Sequence, residues 1–180
     1  SRCPDVINAQ EGFFDVESVW PKLEQALRQA ISNLVAMRET EGSNIYGDFI
    51  KRADLIAEKL AVIEERSPQV VEEYQIRLSD RINELLAKHN QVIEPERLLQ
   101  EVAIFADRTS ITEEIVRLKS HIKQFRLIID ADQPVGRKLD FLIQEFNREA
   151  NTIDSKANDY TLAQVVVEIK AEIEKIREQI

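Results

Sequence analysis

The chain has 180 residues and a formal net charge of −9, from 33 acidic against 24 basic side chains, so it lacks the overall charge of a protein that coats nucleic acid. The lone Cys3 has no partner for an internal disulfide or a zinc pair, no stretch reaches the ~20 apolar residues needed to span a bilayer, and the N-terminus lacks the pattern of a signal peptide. A cytoplasmic chain without a membrane partner is expected. With only 4 Gly and 5 Pro in a background rich in Ala, Leu, Ile, Glu, Lys, Arg and Gln, the expected fold class is all-α.

Residues 1–17 show no period and read as an irregular segment. From Ser18 onward apolar residues recur at Leu23, Leu27, Ala30, Leu34, Ile45, Phe49, Ile56, Leu60 and Ile63, the stripe of one helix running to Arg66. Ser18 is placed to cap it, with Pro21 in its first turn; the stripe weakens around Glu41-Gly42-Ser43-Asn44 and Gly47, where either one helix runs through two costly glycines or two helices meet, and one helix is the favoured reading. Ser67-Pro68 reads as a stop followed by a start, because proline cannot extend the preceding ladder but suits the first turn of a new helix. Val71, Tyr74, Leu78, Ile82 and Leu85 then form a returning stripe, which predicts a long antiparallel helical hairpin over residues 18–93.

His89-Asn90-Gln91 is a polar break, and Pro95 opens the C-terminal helical domain of residues 94–180. Its first helix carries Leu98, Leu99, Val102 and Phe105, and further helices are predicted over 112–129, 137–157 and 161–180, the last capped by Thr161. A local basic patch interrupts the acidity: Arg117, Lys119, Lys123 and Arg126 fall in a run without Asp or Glu, and Arg137-Lys138 follow. Such a patch is either a solvated helix face or a place for phosphate.

Residues 134–159 hold more than a packing stripe. Leu139, Leu142, Ile143, Phe146, Ala150, Ile153 and Ala157 satisfy the core, leaving a face of Asp140, Gln144, Asn147, Arg148 and Asn151, flanked by Glu145, Glu149, Thr152 and Lys156. Asn and Thr are poor fillers for an exposed helix, so this face points to a polar network or a ligand. Glu145 and Glu149 stand four apart, close enough to share one cation, while Asp140, Glu101 and Glu114 are candidates to add ligands from the same or neighbouring helices. The competing reading pairs each carboxylate with Arg117, Arg137, Arg148 or Lys156 in salt bridges. His121 suits acid–base work, although its blander reading is a polar helix histidine.

The run GRKLDFLIQEFNREANTIDSKA at 136–157 resembles the signature of the YicC/YloC family, bacterial stress-linked endoribonucleases. Leu98-Leu99-Gln100-Glu101-Val102 through Asp107, Glu113-Glu114 through Arg117, Leu118, Ser120 and His121, Met37 through Gly42, and Glu174 through Gln179 carry the resemblance over nearly the whole chain. It implies the C-terminal part of a family protein, without the strand-containing N-terminal domain. It further implies RNA cleavage with a divalent metal, Mg²⁺ or Mn²⁺, in a homo-oligomer of hexameric form. The catalytic candidates are then Glu145, Glu149, Asp140 and His121. Metal ligands would come from Glu145, Glu149, Glu101 and Glu114, and RNA contacts from Arg117, Lys123, Arg126, Arg137, Lys138, Arg148, Asn151 and Lys156. The alternative is a helical scaffold or oligomerisation module without catalysis of its own.

Overall fold

The computed structural model describes residues 16–87 and 95–180, and among them there are five helices and no strand. These are α1 (Val16–Ala87), α2 (Pro95–Arg108), α3 (Thr112–Ile129), α4 (Gly136–Lys156) and α5 (Tyr160–Arg177). The all-α class is as expected. Cys3, the irregular segment up to residue 15 and the break at His89 lie outside the described residues.

The hairpin is not formed. α1 is one helix of 72 residues and passes through Ser67-Pro68 without turning. Proline removes one helical N–H and costs about 3 kcal/mol in a helix interior, but Pro68 and Glu64, whose carbonyl it leaves without its helical donor, are both exposed residues. Ile63 and Val70, two turns apart on one face, are both buried in the same core, and a reversal at Pro68 would take Val70 out of it. Arg66 also spans the proline, donating to Glu73 further along the helix at 2.9 Å and to Asp159 at 2.9 Å. Gly42 and Gly47 are accommodated within the helix, and Ser18 lies inside its first turn rather than at a cap.

The described residues fall into two units, one up to residue 44 and one from residue 45. In the first, α1 carries an exposed stripe of Trp20, Leu23, Leu27, Ile31 and Leu34. An Arg28–Glu24 pair at 2.8 Å and a Gln29–Asn33 hydrogen bond at 2.9 Å lace the same stretch of helix.

The second unit is a four-helix bundle with α2 as an addition. Ion pairs fix its directions. Arg126 and Lys119 of α3 reach Asp54 and Glu64 of α1, so α3 runs antiparallel to α1. Arg52, Lys59 and Arg66 of α1 meet Glu172, Glu168 and Asp159 in turn, so α5 is antiparallel to α1 as well. α4 joins α3 and α5 through short turns, giving the up-down-up-down order of a simple bundle. Asn158, at φ 35°, ends α4 in the left-handed region that Asn tolerates better than most residues. Asp159 then caps α5, accepting from the Leu162 amide at 2.9 Å, a role expected of Thr161.

The core joins Phe49, Ala53, Ile56, Leu60 and Ile63 of α1 to the buried stripes of the other three helices. Phe125 lies at its centre, with ring centroids 5.5 Å from Phe49 and 6.0 Å from Phe146 in tilted arrangements. α2 is held at one end, where Phe105 stacks on Tyr74 at 3.7 Å.

Candidate metal centre and basic groove

α3 and α4 form the closest pair of neighbours through their buried faces, and the seam between them collects most of the polar residues singled out in the sequence. The helical repeat puts Glu114, Arg117 and His121 along one edge of α3, and Arg137, Phe141, Glu145 and Glu149 at four-residue intervals along α4. Side chains facing across the seam are therefore ordered by turn.

At its middle, His121, Glu145 and Glu149 offer ligand atoms that all lie within 4.8 Å of one another, the one such group among the described residues. The His121 ring lies beside the buried Phe146 ring, 6.3 Å between centroids and 29° between planes. Its Nδ1 is buried without a hydrogen-bond partner. Glu149 is 3% exposed, and its cationic neighbour is Arg117, whose Nη1 stands 3.8 Å from Oε1 while Nη2 donates to Glu113 at 2.6 Å. One imidazole nitrogen and two carboxylate oxygens at this separation are a donor set that fits a divalent cation.

The other expected ligands lie elsewhere. Glu114 is buried one and two turns away from Arg117 and His121 and accepts from Lys156 at 3.0 Å. Burial pushes its carboxyl up, but the Lys156 hydrogen bond and its own backbone amide outweigh this and hold it below the ordinary glutamate value. It is a paired, charged residue of the seam with one oxygen, Oε2, left unpartnered. Glu101 is exposed on α2, and Asp140 is exposed on α4 and accepts from Gln144 at 3.2 Å. Neither joins the trio. Salt bridging therefore accounts for Glu114, while Glu145 has only Arg148 at 3.7 Å.

The basic residues also divide. Arg126 is tied to Asp54, Lys119 to Glu64 and Lys156 to Glu114, so these serve the bundle. Lys123, Arg137 and Lys138 are exposed and make no ion pair among the described residues. Arg137 and Lys138 border a groove of about 750 Å³ that begins at His121 and Glu145 and is also lined by Gln124 and Phe141. Arg148 and Asn151 open instead into a second, polar groove shared with Asn147 and Arg177. Phe141 and Gln124 were missed by the sequence reasoning. The available signal was that Phe141 is a large apolar residue off the stripe of Leu139, Leu142, Ile143 and Phe146, and it is 64% exposed.

The C-terminal model of the endoribonuclease YicC-like family matches residues 63–180, which contain the whole seam. The chain belongs to the YicC-like family. The family's N-terminal region model matches residues 1–47, which corrects the expectation that nothing here corresponds to that region. A protein named probable endoribonuclease YicC from Clostridioides difficile (strain 630) is 48% identical over 180 residues, all of this chain and 61% of the relative. A second of that name, from Haemophilus influenzae, is 35% identical over 99% of this chain and 60% of its own length. The chain thus spans about three fifths of these relatives. No helix among the described residues is long and apolar enough to cross a membrane.

Proposed function

We propose that the α3–α4 seam is the cleavage site of a metal-dependent endoribonuclease, with His121, Glu145 and Glu149 as the cation ligands. The observation that carries this reading is the convergence of those three side chains beside the unpaired cations Arg137 and Lys138. The name of the relatives supplies the class of substrate. A divalent ion bound there supplies a Lewis acid for the phosphate and a water acidified enough to attack it. The imidazole in the donor set tilts it away from Mg²⁺, which keeps to oxygen ligands and its own waters, toward Mn²⁺ or a later first-row ion.

The chain's own residues position and neutralise. Phe146 lies beside His121, Arg117 offsets part of the Glu149 charge, and Arg137 with Lys138 attracts the backbone of the strand to a chain that is otherwise acidic. Asp140, Glu101 and Glu114 have no part at the ion. The test incubates the chain with single-stranded RNA in Mn²⁺ or in EDTA. Cutting in Mn²⁺, its loss in EDTA, and its loss in a Glu145→Gln, Glu149→Gln chain that still melts normally are expected. Cutting by the double variant at the parental rate returns both carboxylates to a structural role.

A second reading, a helical assembly module, is favoured by the exposed stripe of Trp20, Leu23, Leu27, Ile31 and Leu34. It is compatible with the first, because the stripe and the seam belong to different units. Light scattering across a dilution series tests it: a mass above one chain that falls in Leu27→Glu supports homo-oligomerisation through this stripe.

A further inference from the structure

Next to the trio lies an aromatic ring with no structural task. Phe141 is 64% exposed, while the core stripe of α4 is complete without it. It lines the same groove as His121, Glu145, Gln124, Arg137 and Lys138. At about 750 Å³ this groove falls within the roughly 300–1,000 Å³ typical of pockets for small organic groups. Arg137 and Phe141 are four residues apart, as are Phe141 and Glu145, so cation, ring and carboxylate follow one another up one edge of α4 at about 6 Å of rise per step.

We infer that Phe141 is a stacking platform for one unpaired base, which makes the groove selective for single-stranded RNA. The inference rests on the reading of the seam as an RNA site and deepens it by naming the form of strand accepted. An exposed ring face takes any base by π-stacking, whereas a base within a duplex is already covered on both sides by its neighbours. Arg137 and Lys138 hold the phosphate on one side of the stacked nucleotide, and the phosphate on its other side lies toward Glu145 and His121. Charge complementarity favours RNA over a protein segment as the occupant. In a chain where Arg126, Lys119 and Lys156 are all bound to carboxylates, these two cations are without partners among the described residues and flank the ring. Gln124, on the α3 wall, offers an amide with both donor and acceptor to the base edge.

The experiment measures binding, in EDTA so that no cleavage intervenes, of a short single-stranded oligoribonucleotide, an abasic strand of the same length, and a blunt duplex. Phe141→Ala is expected to weaken binding of the single strand by about 5- to 150-fold, the range of one lost base–aromatic stack, and to change duplex binding by less than about twofold. Phe141→Trp, in a Trp20→Phe background so that its indole is the only one, is expected to restore affinity. Its fluorescence should be quenched by the single strand and not by the duplex. The exposure of Phe141 keeps these variants folded, and matching melting temperatures check this.

The inference is overturned if Phe141→Ala binds the single strand within twofold of the parent, if the abasic strand binds as well as the intact one, or if the parent binds no RNA. An unchanged affinity would leave the ring as a contact for a protein partner. Ring-dependent binding in EDTA by a chain that never cuts in Mn²⁺ overturns the nuclease reading alone. Cutting in Mn²⁺ that is indifferent to Phe141 overturns the stacking alone.

Discussion

The two halves of α1 carry the same helical repeat and opposite burial. Leu23, Leu27, Ile31 and Leu34 recur at the spacing of Phe49, Ala53, Ile56, Leu60 and Ile63, yet the first set is exposed and the second is almost wholly buried. Both halves read alike as sequence because a hydrophobic period reports which face of a helix is apolar, not what covers it. The difference is set by partners. The second half shares the core with α3, α4 and α5 and is pinned by cross-helix pairs from Arg52, Lys59 and Arg66, whereas the Arg28–Glu24 pair of the first half lies within its own helix.

The largest effect that sharpens this contrast is a core truncation. Leu60→Ala should destabilise the chain by about 2–5 kcal/mol in a urea melt, while Leu27→Ala should stay within about 0.5 kcal/mol. Equal losses in the two variants would mean that the first stripe is covered in solution and that the contrast is false. Next comes the junction that looked like a turn. Because Pro68 sits inside a continuous helix, Pro68→Ala should raise stability by about 1–3 kcal/mol, seen as a higher urea midpoint. A hairpin would respond in the opposite direction, since its turn would lose the residue that ends one helix and starts the next.

A smaller effect is expected where the buried half is tied to α5. Asp159→Ala removes both the α5 cap and the Arg66 partner, for a loss of about 1–2 kcal/mol. The hydrogen bond from Arg66 holds the Asp159 carboxyl below the ordinary aspartate value, against burial that would raise it. Glu172 is likewise lowered, first by Lys175, again against burial, and then by Arg52. A lowered carboxylate contributes stability that is fully present above the unfolded value, about 4 for these residues, and is lost as the pH falls toward the folded value. Melting temperature should therefore hold from neutral pH to about 5 and drop below 4. Asp159→Asn, which keeps a cap without the charge, should make that acid limb shallower.

The composition made the all-α class legible, and proline and period located α2 through α5. What was illegible was a matter of tertiary context. Ser67-Pro68 has every local feature of a boundary, and only the burial of Ile63 and Val70 on either side, with Arg66 bridging the gap, explains why the helix continues. At the site, the four-residue spacing of Glu145 and Glu149 was visible, and so was His121, but nothing local joins a histidine of α3 to two glutamates of α4. Packing of the α3 and α4 stripes does that. The same packing separates Glu114, tied to Lys156, and leaves Asp140 and Glu101 facing solvent, distinctions that an acidic sequence does not spell out.

The account rests on a cation held by His121, Glu145 and Glu149, and the most direct measurement is equilibrium binding of Mn²⁺ to the chain without RNA, followed by calorimetry or by the magnetic resonance of the free ion. One Mn²⁺ per chain is predicted, weakened by at least about tenfold in each of His121→Ala, Glu145→Gln and Glu149→Gln, and unaltered in Asp140→Asn and Glu101→Gln. Mn²⁺ bound equally well by all five variants, or not bound by the parent chain, would contradict it.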